Sequence, residues 1–269
     1  MTEELTQLGL IEESEIALDD AALTLAALDH PDVELEPYRD LLAAIAHRVG
    51  SAADATAAPR EHAAALARVL GGEFGFAGDV ETYDDPANAD LIRVLERRRG
   101  LPVSLSILYV AAARHARWVA AALDVPGHVL VLVGEDASPV VIDPFRGGRM
   151  VDHDTLAAML PPVAGADGQA VRHVATMPNR AVLVRLLLNQ ATRAEAAGQG
   201  KRALTLYRRM TVIAPAYPHA WWEAARLHLI DGDVEGARRS LGTILEITRE
   251  PALRGRVSQM LASLANHHG

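Results

Sequence analysis

The stretch PGHVLVLVGEDASPVVIDPFRGG, residues 126–148, constrains the fold more than any other part of the chain. Val129–Val133 and Val140–Ile142 are apolar or β-branched runs, and the GEDASP cluster between them, residues 134–139, has turn chemistry. Two such runs separated by a turn predict an antiparallel hairpin buried on at least one face. Immediately upstream, Gly100 stops one helix, and Pro102 suits the first turn of the next because the N–H it lacks is unpaired there anyway. That second helix is expected to run to about Arg117.

Elsewhere the apolar spacing is helical. Residues 3–29 carry Leu8, Ile11, Ile16, Leu18, Leu23, Leu25 and Leu28, and close at His30-Pro31. Further helices are expected over 37–49 and over 60–70, the latter ending at Gly71-Gly72. Another is expected to be capped by Asn88 and to reach Arg99, with Leu91, Ile92 and Leu95 buried. Asp152–Leu160 reads as a short helix and Pro161–Gln169 as a loop. Beyond Met177-Pro178 the chain reads as helical to its end. A shift of 34 residues there carries Leu187 to Trp221, Ala191 to Ala225, Gly198 to Gly232, Ala203 to Ala237 and Tyr207 to Leu241. Small residues recurring at that period are the tetratricopeptide pattern. Two units cannot cover their own faces, so a last helix over 252–265 is expected to cap one end.

Charge is uneven. The first forty residues hold twelve acids and one base, a balance of −11 against −9 for the whole chain. Such a surface repels nucleic acid and anionic membranes, and it is either a dock for a basic partner or a solvated helix face. No apolar run is long enough for a membrane span. The acidic start MTEELTQLGLIEESE lacks the pattern of a secretory signal, so a cytoplasmic location is expected. The chain has no cysteine, which rules out thiol chemistry, and no HExxH, so neither metal nor cofactor is expected.

The residues that could carry chemistry lie in the central blocks. A hydroxyl at a helix start, a histidine entering a strand and an aspartate leaving the next are ordered as a nucleophile, a base and its orienter. Ser104 is the first candidate nucleophile and Ser106 the second, with His128 as base and Asp143 as orienter. The first turn of a helix offers free N–H groups and a positive dipole end to an oxyanion. Each residue also has a structural reading. Ser104 can satisfy a backbone group, His128 and Asp143 can form a structural pair, and Asp143 before Pro144 can make an Asx turn. Arg97–Arg99 is either an anion clamp or a solvated helix end. Asp152-His153-Asp154 reads as a surface turn, and His267-His268 has no ligand partners at metal spacing. Tyr207, Trp221 and Trp222 are packing residues, or one of them lines a peptide groove.

The blocks YDDPANADLIRVLERRRGLPVSLSILYVAAAR, PGHVLVLV and IDPFRGG resemble the SirB-type family of transglutaminase-like proteins, and the resemblance covers roughly residues 5–265. It implies an α+β fold, a papain-like domain whose central helix packs on a small antiparallel sheet, followed by an all-α tetratricopeptide-repeat module. The expected division is 1–177 and 178–269. By position, His128 and Asp143 match the superfamily's histidine and aspartate, and the cysteine's place falls within Leu101–Ser106. With the thiol gone and His and Asp kept, a scaffold binding a peptide or protein partner is the first reading. A serine-based hydrolase or acyltransferase on amide or ester bonds, through Ser104, His128 and Asp143, is the alternative.

Overall fold

The apolar run after Gly100 becomes the helix around which the larger part of the chain is built. A computed structural model describes residues 3–135, 138–160 and 176–266. The expected loop over 161–169 and the His267-His268 pair lie outside the described residues, as do two residues of the GEDASP turn. The chain divides into two compact units, Glu12–Leu183 and Met1–Ile11 with Val184–Gly269.

In the first unit, helices α2 (Leu18–Ala27), α3 (Glu36–Gly50), α4 (Pro59–Leu66) and α5 (Leu91–Arg97) precede the central α6 (Pro102–His115). Every residue of α6 from Pro102 to Ala113 is buried. A helix apolar on all sides needs partners all round, and α6 packs on α2, α3, α4, β3 and β4. The main sheet is antiparallel in the order β3 (Ala120–Val125), β4 (His128–Val133), β5 (Val140–Asp143), β6 (Arg149–Val151). Val131 pairs with Ile142, so the expected hairpin is formed. Leu123, Val125, Leu130 and Val141 join Leu156 of α7 (His153–Met159) in one core cluster. With α6 and α7 both packed on it, the sheet has little free face. That is why its strands read as nearly continuous apolar runs. The result is the mixed helix-and-sheet fold expected, with a small antiparallel sheet.

Four details differ from expectation. The helix over 60–70 does not stop at Gly71-Gly72 but widens into a π-helical turn through Glu73. Asn88 is not a helix cap. Asp85 caps a short 3-10 turn (Pro86–Ala89), and Asp90 caps α5 by accepting from the Arg93 N–H. The helix ends on Arg98 in the left-handed region, φ 56°, rather than at Gly100. Gly100 instead lies in β2 (Arg99–Gly100), paired in parallel with β1 (Ala77–Gly78). Finally, strands β3 and β6 extend the sheet beyond the hairpin; the tight Pro126-Gly127 turn, with Gly127 at φ 74°, returns β3 onto β4.

The second unit is helical among its described residues, and its longer segment begins within α8 (Asn179–Ala196). α1 (Glu3–Leu10) packs on α9 (Gly200–Ile213), and α9, α10 (Pro218–Ile230), α11 (Val234–Ile247) and α12 (Pro251–Asn266) pack in succession. Residues 34 apart have matching environments. Ala191 and Ala225 are buried, Ala203 and Ala237 are buried, and Gly198 and Gly232 both take positive φ in the tight turns between helices. α12 closes the array, its Val257 packing with Ala237, Leu241 and Ile244. Among the described residues no helix is long and apolar enough to cross a membrane.

Candidate functional site

His128 opens β4 and Asp143 closes β5, so the hairpin register brings together side chains fifteen residues apart. His128 Nε2 lies 2.9 Å from Asp143 Oδ1. A carboxylate at this separation accepts the ring proton, which puts the hydrogen on Nε2 and leaves Nδ1 as an acceptor. Asp143 is buried, whereas the imidazole keeps 20 % of its surface exposed. The same Oδ1 accepts from the Phe145 N–H at 3.0 Å, so Asp143 makes its Asx-type turn and holds His128 at once. Arg146 Nε approaches Oδ2 at 3.6 Å from a well-exposed side chain.

Aromatic rings line the histidine. Phe145 meets His128 edge-on at 5.9 Å between centroids, and Tyr83 meets Phe145 at 5.8 Å. Phe145 lies directly on the backbone of Gly78, where any Cβ would occupy the same space as the ring. Val80, on the same loop as Tyr83, is 77 % exposed. Beside Asp143 is a cavity of about 100 Å³ lined by Arg146, Arg149, Met150, Asp152 and Met159 among others.

Ser104 is buried in the first turn of α6, where the single hydrogen of its Oγ is shared between Asn88 O at 2.8 Å and Leu101 O at 3.0 Å. No hydrogen bond joins it to His128 among the described residues. Ser106 is likewise buried, and its Oγ donates to Val129 O at 3.3 Å. Two of the three expected site residues therefore touch, and the hydroxyls are committed to carbonyls.

The partner of Ser104 belongs to a polar network. Buried Asn88 donates through Nδ2 to Thr82 O and Tyr83 O, and accepts through Oδ1 from Arg97. Arg97 also bonds Asp79 at 2.8 Å, and Asp79 accepts from the Thr82 hydroxyl and N–H. Those Thr82 bonds, and then Asn88 and Arg97, outweigh burial and pull the Asp79 carboxyl down to about 2. The network fixes the 79–90 loop that carries Tyr83 to the rim of the His128 site. Of the arginine triplet, Arg97 is thus a loop anchor. Arg99 bonds Gly75 O, and Arg98 stacks on Phe76 at 4.7 Å.

Sequence reasoning missed Tyr109. Among the described residues its buried hydroxyl has no hydrogen-bond partner, and burial and then the Asp143 charge push its ionisation well above the usual phenol range. The available signal was a single phenol within the apolar run SILYVAAA. Of the three aromatics singled out in the helical unit, Tyr207 is buried and bonds Glu195, and Trp221 Nε1 donates to Pro215 O. Trp222 lines a cleft instead. Among the described residues, no group of three or more His, Asp or Glu converges at metal-binding geometry.

Comparison with known proteins matches residues 36–188 to a family model described as the transglutaminase-like superfamily. A UPF0162 protein of Xylella fastidiosa is 29 % identical over 244 residues, covering 89 % of this chain and 87 % of its own length. A UPF0162 protein of Pseudomonas aeruginosa is 26 % identical over 249 residues, covering 93 % and 91 %. Among solved structures, one of menin superposes with a TM-score of 0.43 at 12 % identity, covering 89 % of this chain and 68 % of that one.

Proposed function

The chain belongs to the transglutaminase-like superfamily, and from that premise we propose that it is a cytoplasmic, SirB-type binding scaffold rather than a catalyst of acyl transfer. Its functional parts are a transglutaminase-like domain over 1–177 and a tetratricopeptide-like module over 178–269. In the fold, the first eleven residues go with the helical unit. The surface around His128 and Asp143, with Ser104 buried behind it, recognises a peptide group without cleaving it. His128 Nδ1 accepts an amide N–H, Phe145 and Tyr83 cover the neighbouring apolar surface, and Ser104 braces the rim through Asn88.

One observation carries this reading. The Ser104 hydroxyl is spent on Asn88 O and Leu101 O, while the histidine beside Asp143 keeps a free acceptor. A serine depends wholly on its base for nucleophilicity, and a hydroxyl donating to carbonyls has no proton to give that base. The tetratricopeptide-like reading is supported by the 34-residue recurrence of buried alanines and positive-φ glycines.

A second reading, a serine hydrolase or acyltransferase with Ser104 as nucleophile, is favoured by the His128–Asp143 pair itself, which would orient a general base. Incubation with a fluorophosphonate probe, followed by intact-mass measurement, separates the two. No adduct on Ser104 is expected; an adduct on the native chain that disappears in Ser104→Ala would establish the hydrolase and end the scaffold reading.

A further inference from the structure

The helical unit holds a cleft of about 260 Å³ lined by α10 residues Pro218, His219, Trp222 and Glu223 and α12 residues Leu253 and Arg256. Its hydrogen-bonding groups are unbalanced. The Trp222 indole N–H, the His219 ring and the Arg256 guanidinium have no hydrogen-bond partner among the described residues. Arg256 has no carboxylate within ion-pair range there either. The lining carboxylate, Glu223, is paired through its Oε2 with Arg226 at 2.6 Å, and Arg226 also pairs with Glu195. Arg256 lies over the Trp222 ring at 5.5 Å, which holds the cation against an apolar wall completed by Leu253 and Pro218. Trp221, one residue away, contrasts with this, since its indole N–H is committed to Pro215 O.

A cleft with more free donors than acceptors, walled by indole and leucine, fits a ligand that brings a carboxylate next to a large apolar group. Its volume is just below the usual range for ligand pockets, so it takes one such side-chain pair rather than a folded surface. We propose that this cleft binds an acidic peptide segment in which an aspartate or glutamate follows an aromatic or large aliphatic residue. The carboxylate meets Arg256 and the Trp222 N–H, and the apolar side chain lies on Trp222 and Leu253. This deepens the binding reading of the helical unit and is independent of the His128 cleft.

The test uses the full chain labelled with 15N. Its three tryptophans give three indole N–H signals, with that of Trp222 identified by its loss in Trp222→Phe. The probe is the peptide acetyl-Ala-Phe-Glu-Ala-amide, compared with its Gln counterpart and with phenylacetate. The Glu peptide is expected to move the Trp222 signal saturably and to leave the His128 ring signals in place. The Gln peptide, phenylacetate and Arg256→Gln should each weaken the response about tenfold, the size expected from losing one charge-assisted contact or the peptide's remaining contacts. Arg256 is exposed, so its substitution leaves the fold intact. A still Trp222 signal at millimolar peptide would overturn the proposal. So would equal responses to Glu and Gln, an unaffected Arg256→Gln, or phenylacetate binding as well as the peptide. Movement of His128 alone would likewise overturn it, while supporting the other cleft.

Discussion

Replacing Asp143 by alanine removes one acceptor from two donors at once, and the structure sets the size of the effect. Asp143 is 2 % exposed, and its Oδ1 takes both the His128 Nε2–H and the Phe145 N–H. A buried donor left without a partner costs about 1–3 kcal/mol. The imidazole, one-fifth exposed, can recover part of its loss by turning to water, whereas the Phe145 N–H cannot turn. The expected cost of Asp143→Ala is therefore about 2–3 kcal/mol. Asp143→Asn keeps a carbonyl oxygen at the Oδ1 position and loses mainly the charge facing exposed Arg146, so about 0.5–1 kcal/mol is expected. Urea unfolding near neutral pH measures both. Trp118 lies in the same unit, so a background with Phe at 221 and 222 makes fluorescence report that unit alone. An alanine variant within about 0.3 kcal/mol of the parent, or an asparagine variant as damaged as the alanine one, would refute the pairing argument.

Two further outcomes follow from the network behind the site. Ser104→Ala should cost only about 1 kcal/mol in the same unfolding assay. The reason is that Asn88 O still accepts from the Leu101 N–H and Leu101 O from the Leu105 N–H, so no carbonyl is orphaned; a loss larger than that of Asp143→Ala would contradict it. The Asp79 carboxyl is pulled from 3.8 to about 2 in the fold, so its contribution is complete above the unfolded value and is lost as pH falls through that window. With allowance for solvent screening at the loop, acid stability between those values should drop by roughly 1 kcal/mol more in the native chain than in Asp79→Asn, and parallel pH profiles would exclude the link.

The parts of the fold legible in the sequence are those that local chemistry decides. Pro102 sets the start of α6, the alternation of valines and leucines around GEDASP marks the hairpin, and recurring small residues mark the helical array. The rest depends on tertiary partners. Ala120–Val125 is half alanine and has little strand character of its own; it becomes β3 because the Pro126-Gly127 turn returns it onto β4. Asn88 resembles a cap in sequence, but the carbonyls of Thr82 and Tyr83 need its amide more than a helix end does. At the site, the His128–Asp143 pairing was readable because a hairpin forces it. The direction of the Ser104 hydroxyl was not, because its acceptor, Asn88 O, belongs to a loop sixteen residues upstream. Tyr83 and Phe145 join the site only through the fold, where Gly78 leaves room for the Phe145 ring against its backbone beside His128.

The central claim is that the imidazole beside Asp143 has no serine for a partner. The most direct measurement is the pair of 15N ring shifts of His128, recorded near neutral pH in the native chain and in Ser104→Ala. A protonated Nε2 and an acceptor Nδ1, unchanged by the substitution, are expected. A shift of Nδ1 when the hydroxyl is removed would show the two groups bonded, and would contradict the claim.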